Sequence, residues 1–534
     1  MELTGHSIIG YGYKRGHEGG EDLYGFDPST GEKLLPAYQS SSVAGVDKAA
    51  ELAAKSFAAY RRLRGRERGA FLRRIADNLE AFGEELVERA VRESALPAVR
   101  IRNERTRTCF QLRFFAEIAE EGSWVDARID PGDPARQPLP KPDVRSFRMP
   151  LGPVVVLGAS NFPLAFSVAG GDTASALAGG NPVVALAHYS HPGTAEFAGM
   201  AIRNAAQDLG LPEGVFSLLY DAGHQVASAL VAHPEVKAVG FTGSRAGGTA
   251  LMKIASSRPE PIPFYAEMGS VNPVFILPGV LESRGEALAK GLHASVTLGV
   301  GQFCTNPGIV VTTGNSSSFA SQLAELMQAT APGTMLNRNI AASYRRAVAE
   351  RSTRSHVKAT AVQESAIENQ GNGSRSGTAL FETDAATLLE DPTLKSEIFG
   401  PSTLLVHSGS REEMLAIAHR MEGNLTATIH GTEEDLREYA DLIAVLETKV
   451  GRIIFNGFPT GLEVCNGMVH GGPFPATSDG RSTSVGGRAI QRFTRLVCYQ
   501  DFPDSALPAE LQDANPLGIW RQAGGQFTSE SLAH

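Results

Sequence analysis

The sequence predicts an α/β protein with two sheet-centred domains and a short β extension. Three observations carry this expectation. Strand–helix alternation starts at Pro150 and continues to Ser257, which is the pattern of a parallel sheet with crossover helices. A second alternation, with its own apolar segments, starts after Phe264. The chain has 534 residues, more than one ordinary hydrophobic core would hold, so two or three domains are expected.

Taken in order, residues 22–43 read as short strands and turns, with Asp27-Pro-Ser-Thr-Gly31 as the clearest turn. Apolar residues at helical spacing predict helices over 46–62, 67–94 and 105–119, the last presenting Phe110, Phe114 and Phe115. Residues 128–142 are rich in proline and predict an extended arm leaving the first domain. The first alternation then gives strands at 154–157, 182–187, 215–220 and 236–241. Its helices fall at 162–178, 194–209, 225–232 and 247–257. The second gives strands at 272–277, 308–313, 403–406 and 452–455. Its helices fall at 282–298, 317–330, 340–352, 412–419 and 433–446. Residues 363–378 are polar and read as a surface loop. Residues 490–499 return to strand-like alternation, and the tail after Phe502 reads as extended. No internal repeat stands out beyond the alternation itself.

Composition bounds the function. Hydrophobic residues make up 42% and charged residues 20%, which is ordinary for a globular protein. A net charge of −9 leaves no basic surplus to neutralise phosphates, so nucleic-acid binding is not expected. No apolar run approaches a membrane span, and the first residues do not read as a signal peptide. The cysteines, Cys109, Cys304, Cys465 and Cys498, are widely spaced without a CxxC pair, so neither a zinc ribbon nor a disulfide framework is expected. A reducing cytoplasm is the simplest setting.

Cys304 lies in Gly299-Val-Gly-Gln-Phe-Cys-Thr-Asn-Pro-Gly308. An isolated cysteine is usually a small buried hydrophobe, but the small and polar neighbours here leave room for a substrate. A thiolate adds to an aldehyde carbonyl as a nucleophile, and nearby backbone N–H groups lower a thiol pKa. Glu267, in Tyr265-Ala-Glu-Met-Gly-Ser270, reads either as a solvated loop carboxylate or as a general base tuned by apolar neighbours. Asn161, in Gly158-Ala-Ser-Asn-Phe-Pro163, reads either as a turn or helix-cap residue or as an oxyanion donor. The segment Gly240-Phe-Thr-Gly-Ser-Arg-Ala-Gly-Gly248 is not a G-x-G-x-x-G fingerprint. Its Gly243, Ser244 and Gly248 still open a helix whose N–H groups suit a pyrophosphate.

These segments in this order resemble the aldehyde dehydrogenase superfamily from about Asp22 to Phe502. The resemblance is carried by Ala159-Ser-Asn-Phe-Pro, Phe241-Thr-Gly-Ser, Glu267-Met-Gly, Gly301-Gln-Phe-Cys and Glu397-Ile-Phe-Gly-Pro. It implies Cys304 as nucleophile, Glu267 as base, Asn161 as oxyanion ligand, Glu397 on the nicotinamide ribose and Phe399 beside the nicotinamide. It also implies a Rossmann-type cofactor domain (1–127 and 146–265), an α/β catalytic domain (266–470) and a β oligomerisation arm (128–145 with 485–502). A tail follows over 503–534, and the assembly expected is a homodimer or homotetramer.

Four further features refine the resemblance. The segments Phe166 to Ala178, Gly301 to Gly308, Asn456 to Cys465 and Met468 to Asp479 are similar to the α-ketoglutaric semialdehyde (2,5-dioxovalerate) dehydrogenases. That group implies NADP, with NAD possible, and a small oxo-acid aldehyde as substrate. Where most of the superfamily closes the site with Phe-Gly-Gly, this chain has Pro-Ala-Thr-Ser-Asp479. The family's adenosine-ribose lysine corresponds to Leu186, and the acid that repels a 2′-phosphate in NAD-preferring relatives corresponds to Tyr189. That leaves His188, His224 and Arg245 as possible phosphate contacts.

For the substrate, Arg113 is the candidate cation for a carboxylate, although a surface arginine with a packed stem is the favoured reading. Phe166 is the candidate apolar contact. Phe110 stands where the family has glycine and would narrow the entrance. Glu463 and Cys465 lie on a loop expected near the site, with Cys465 as packing. His188 and His191 read as loop histidines, and no metal site is expected. The rival readings are a broader aliphatic or fatty aldehyde dehydrogenase, a cofactor-poor homologue without catalysis, and a thiol esterase.

Overall fold

The structure is a computed structural model that describes residues 2–16, 22–368 and 374–532. Its first sheet has seven strands, in the order Phe264–Glu267, Ala238–Thr242, Val154–Leu157, Val183–Leu186, Phe216–Leu219, Ser7–Ile9 and Gly12–Lys14. The first five run parallel, and the two N-terminal strands close the edge antiparallel. Val154–Leu157 and Phe216–Leu219 are buried throughout. Burial on both faces is why Val154–Leu157 reads as a continuous apolar run without alternation; in Phe216–Leu219 the buried Ser217 accepts the Gly10 N–H at 3.2 Å.

The crossover helices are Gly171–Ala178, Pro192–Asp208, Gln225–Ala232 and Arg245–Ser256. The first is half the length expected, because residues 162–170 do not coil. Two of their N–H groups, on Leu164 and Ala165, are taken instead by the buried carboxylate of Glu104, at 2.8 and 3.0 Å. Glu104 lies on helix Ala98–Glu121, which packs with helices Val43–Tyr60, Gly65–Ala81 and Gly83–Ser94 around the first sheet. The single helix expected over 67–94 is thus two, broken at Phe82. The single helix expected over 433–446 is also two, Glu433–Glu438 and Ala440–Glu447.

The second sheet has seven strands, in the order Lys358–Val362, Ala379–Asp384, Ser402–Ser408, Ile309–Thr313, Val274–Ile276, Asn424–His430 and Val450–Phe455. All neighbours are parallel except the first pair. Strand Asn424–His430 was not expected from the sequence. It is buried throughout, but threonines interrupt its apolar run; Thr426 is accommodated by a 3.1 Å hydrogen bond to Asn272 Oδ1. The expected loop at 363–378 lies partly outside the described residues.

A third sheet has the order Thr494–Gln500, Val144–Pro150, Arg128–Asp130, Arg521–Ala523 and Gln526–Thr528. The tail is therefore not extended. It turns back through short 3-10 segments and pairs a hairpin with strand Arg128–Asp130, burying Leu507, Leu511 and Ile519 against Val125, Ile129 and Phe147.

Candidate active site

Cys304 sits on a loop that the chain forces into an unusual path. After helix Pro278–Thr297, Gly299, Val300 and Gly301 take φ of 57, 58 and 65°. Positive φ is costly for the β-branched Val300, so the surrounding structure must impose it. Gly301 is needed for a second reason. A Cβ there would collide with the backbone of Gly400, in the loop that carries Glu397 and Phe399. The nucleophile loop and the Glu397 loop thus meet backbone to backbone. Asn306 Nδ2 reinforces the junction by donating to Gly400 O at 3.3 Å.

Asn272 holds the cysteine from behind. Its backbone is at φ 45°, and its Nδ2 donates to Cys304 O at 2.8 Å and to Asn306 O at 2.9 Å. Asn161 Nδ2 donates to Gln302 O at 3.0 Å, two residues before Cys304. The amide expected as oxyanion donor is therefore brought against the nucleophile loop.

Glu267 is not a solvated loop carboxylate. It ends the edge strand Phe264–Glu267 and is 4% exposed. His470 Nε2 lies 3.0 Å from its Oε1, and Ser484 Oγ donates to its Oε2 at 3.1 Å. The same His470 nitrogen is 3.6 Å from Cys304 Sγ. One donor atom from each of Glu267, Cys304 and His470 fits within 4.8 Å of the other two. Burial alone would raise the Glu267 pKa, but the charge and hydrogen bond of His470, with hydrogen bonds from Cys304 and Ser484, hold it below the usual value. The half-buried thiol shifts the other way. Burial and the Glu267 charge push it well above an ordinary cysteine, with Arg107 opposing. The thiol is therefore protonated at rest, with the Glu267 carboxylate beside it.

His470 was not singled out in the sequence, where it appears only inside the Met468 to Asp479 segment. Two contacts position it. Its N–H bonds Thr483 Oγ1 at 2.9 Å, and the N–H of Ser484 donates to its carbonyl at 2.8 Å. The Pro-Ala-Thr-Ser-Asp479 segment extends the edge of the first sheet. Met268 N donates to Ala476 O at 2.7 Å and Ser478 N to Ala266 O at 3.0 Å, flanking a bridge between Glu267 and Thr477. A histidine distant in sequence is thus fixed against the edge strand by main-chain pairing.

The residues present fit a dinucleotide at two of its three contact regions. Ser244 caps helix Arg245–Ser256 by accepting the Gly247 N–H at 3.2 Å, and the first-turn N–H groups of that helix have no partner within it. Gly243 donates its N–H to Glu267 O at 3.0 Å. Gly248 lets the helix close on Met268, where a Cβ would meet the sulfur at 2.8 Å. Glu397 packs on the backbone of Gly269, where a Cβ would stand 2.5 Å from Oε2. Burial and the nearby Glu267 charge push the Glu397 carboxyl up to about 7. Its side chain is exposed at the cleft. Phe399 lies half-buried in the same loop.

The third region fits less well. Leu186 ends strand Val183–Leu186 and packs its side chain into the apolar layer under the sheet, with nothing to donate to a ribose. His188 stacks between Tyr189 and His191, with ring centroids 4.5 and 5.4 Å away. Burial pushes His188 down to about 3, so it is neutral at physiological pH. Arg245 is paired with Glu422 at 2.9 Å.

Two sequence expectations are corrected. Arg113 is engaged elsewhere: its guanidinium pairs with Asp77 at 2.8 Å and Glu80 at 2.6 Å between two surface helices. Its spacing on the phenylalanine-bearing helix gave no sign of those acids, which come from helix Gly65–Ala81. Cys465 is exposed, not packed. Phe166 does reach the site, its ring 5.3 Å from Phe162 and 6.1 Å from His470. Phe110 is 49% exposed and stacks on Phe114. Among the described residues no helix is long and apolar enough to cross a membrane.

Comparison with known proteins agrees with this geometry. The aldehyde dehydrogenase family model matches residues 16–495. The chain is 48% identical over 529 residues to α-ketoglutaric semialdehyde dehydrogenase 2 of Azospirillum brasilense, covering 98% of this chain and 100% of that one. It is 43% identical to an α-ketoglutaric semialdehyde dehydrogenase of Acinetobacter baylyi, over 92% of this chain and 93% of that one. Among solved structures, PnpE in complex with nicotinamide adenine dinucleotide superimposes with a TM-score of 0.78 at 21% identity. That match covers 93% of this chain and 97% of the other, and establishes the shared fold.

Proposed function

The chain belongs to the aldehyde dehydrogenase family, and from that premise we propose that it oxidises α-ketoglutaric semialdehyde to 2-oxoglutarate, with NADP as the preferred acceptor and NAD as a possible one. The observation that carries the reading is the cluster of Cys304, Glu267 and His470, with donor atoms mutually within 4.8 Å. The substrate comes from the names of the two similar relatives. NADP preference is supported by Tyr189, an uncharged residue where an acid would repel a 2′-phosphate.

Cys304 Sγ adds to the aldehyde carbon as its proton passes to the Glu267–His470 pair. The carbonyl oxygen gains charge beside the amide of Asn161, which stabilises it. When bound, the dinucleotide supplies the acceptor for the hydride that leaves this carbon. A thioester on Cys304 remains. Once the thiol proton has passed on to solvent, Glu267 removes a proton from water, which attacks the thioester carbon. The C–S bond breaks, the acid leaves and the sulfur regains a proton. Glu267 serves as base in its charged form, which His470 favours.

The domain boundaries at 127/146 and 265/266, and assembly through the arm, remain part of this proposal. Thr494–Gln500 forms an outer strand of its sheet and exposes Leu496 at 60%, with Phe502 just beyond at 49%. An open apolar edge of this kind favours pairing with a second copy. Sedimentation of a dimer or tetramer supports that arrangement, and a monomer at micromolar concentration overturns it.

The test is reduction of NADP and NAD, titrated separately, with the semialdehyde in excess. Saturable NADP reduction that disappears in a folded Cys304→Ala variant supports the assignment. Turnover that persists in that variant overturns it. A preference for long aliphatic aldehydes would move the assignment to a broader aldehyde dehydrogenase.

A further inference from the structure

Helix Ala98–Glu121 carries a polar stripe that its own packing does not satisfy. Arg100, Glu104, Arg107 and Gln111 follow one another at three- and four-residue steps and so share one helix face. Each has a buried side-chain atom without a hydrogen-bond partner. Arg100 and Glu104 are still anchored: Arg100 Nη2 donates to Asn161 O at 2.9 Å, and Glu104 takes the Leu164 and Ala165 N–H groups. Gln111 has neither amide atom partnered, and among the charged members Arg107 differs, because both its Nε and its Nη2 are buried without a partner. Among the described residues its side chain makes no hydrogen bond or ion pair.

What surrounds Arg107 points toward the nucleophile. Its guanidinium lies over the rings of Phe162 and Phe166, 5.6 and 5.2 Å from their centroids. Phe166 in turn faces His470, the residue 3.6 Å from Cys304 Sγ. The cation is thus one aromatic ring away from the reacting cluster. Burial lowers its pKa, while the charges of Glu104, Cys304, Glu463 and Glu267 act to keep it charged. A buried guanidinium with unused donors is costly, and a planar carboxylate is the group whose two oxygens match its fork.

We propose that Arg107 anchors the carboxylate of a short oxo-acid semialdehyde, setting its aldehyde end at Cys304. The inference rests on the function proposed above and deepens it. A five-carbon chain measures about 5–6 Å from carboxylate to aldehyde at ordinary bond lengths. The aromatic floor of Phe162 and Phe166 carries the methylene carbons, and Arg107 makes the site selective for acidic aldehydes over neutral ones.

Two measurements test it, one independent of substrate identity. In steady state, Arg107→Gln raises KM for α-ketoglutaric semialdehyde roughly 10- to 100-fold, the value of charged hydrogen bonds. KM for pentanal, of similar length and uncharged, stays within about twofold. In the absence of substrate, Cys304 alkylation is followed by peptide mass spectrometry with iodoacetate and with iodoacetamide. Iodoacetate carries the carboxylate. Its rate falls about tenfold in Arg107→Gln while the iodoacetamide rate changes little, and Arg107→Lys falls between. Equal loss with both reagents, or loss with neither, overturns the anchor. If the wild-type protein ignores the semialdehyde yet still selects iodoacetate through Arg107, the substrate is wrong and the anchor stands.

Discussion

His470 Nε2 stands 3.0 Å from Glu267 Oε1, and both side chains are almost fully buried. The same nitrogen faces Cys304 Sγ. One imidazole atom therefore addresses both the carboxylate and the thiol, and cannot serve both with a single proton. Hydrogen-bonded to the carboxylate, it stabilises the charged form of Glu267 against a burial that would otherwise protonate it.

Removing His470 should raise the pKa of Glu267, because burial remains and the opposing charge and hydrogen bond are lost. The catalytic form is the carboxylate, present above its pKa, so the acid limb of the kcat–pH profile should move to higher pH in His470→Ala. A fall in kcat of about 10- to 100-fold at neutral pH is expected, in the usual range for general-base effects. Glu267→Gln should remove that limb altogether and leave thioester accumulating, seen as a burst of reduced cofactor. An unchanged acid limb in His470→Ala would leave His470 with no part in tuning the base.

Gly301 joins the nucleophile loop to the Glu397 loop with no room for a side chain. At its φ of 65° an alanine is strained, and its Cβ would press on the Gly400 carbonyl. Gly301→Ala should cost about 2–4 kcal/mol of stability, from left-handed strain plus overpacking. Activity should fall more than stability, since Cys304 and Glu397 would shift together. Thermal unfolding compared with cofactor titration of the same variant checks both halves. A fully active variant would show that the loops move independently.

The sequence carries the fold where local chemistry decides it. The all-apolar strand Val154–Leu157 and the helices of the first domain show their own patterns. Cys304, Glu267 and Asn161 are legible because each sits in a small-residue segment beside a strand end. What is not legible is decided by distant partners. Residues 162–170 look helical until Glu104 takes their N–H groups, and Asn424–His430 hides its burial behind threonines. Arg113 and Arg107 lie on one helix six residues apart, and only the acids of helix Gly65–Ala81 show which of them is already paired. His470 meets Glu267 and Cys304 only in the fold, 203 and 166 residues away in sequence, so no local spacing would reveal it.

Cofactor affinity should depend on pH through Glu397. Its carboxyl is raised to about 7 in the free protein, so it is largely protonated below that pH and charged above it. A charged carboxylate accepts ribose hydroxyls more strongly than a neutral acid. The dissociation constant measured by fluorescence should therefore fall several-fold between pH 6 and 8 and level off above. In Glu397→Gln the same profile should be flat. A wild-type profile without slope in that range would mean that solvent in the cleft restores an ordinary carboxylate, or that Glu397 does not touch the ribose.

Leu186 stands in the expected cofactor cleft with a side chain that opposes its expected task. It ends its strand at the carboxyl edge of the sheet, where open α/β sheets bind their ligands. Its neighbour His188 is neutral at physiological pH and cannot replace a missing cation there. A lysine at 186 can keep its stem against the apolar layer and extend its ammonium into the cleft. Leu186→Lys should therefore tighten dinucleotide binding by about tenfold, the value of one to two charge-assisted hydrogen bonds, at a stability cost of about 1–2 kcal/mol. Calorimetric titration with NADP and NAD reads the gain directly, without turnover. Equal affinity in the variant and the wild type would mean that the adenosine ribose is held by other groups, and that the leucine has been compensated elsewhere in the cleft.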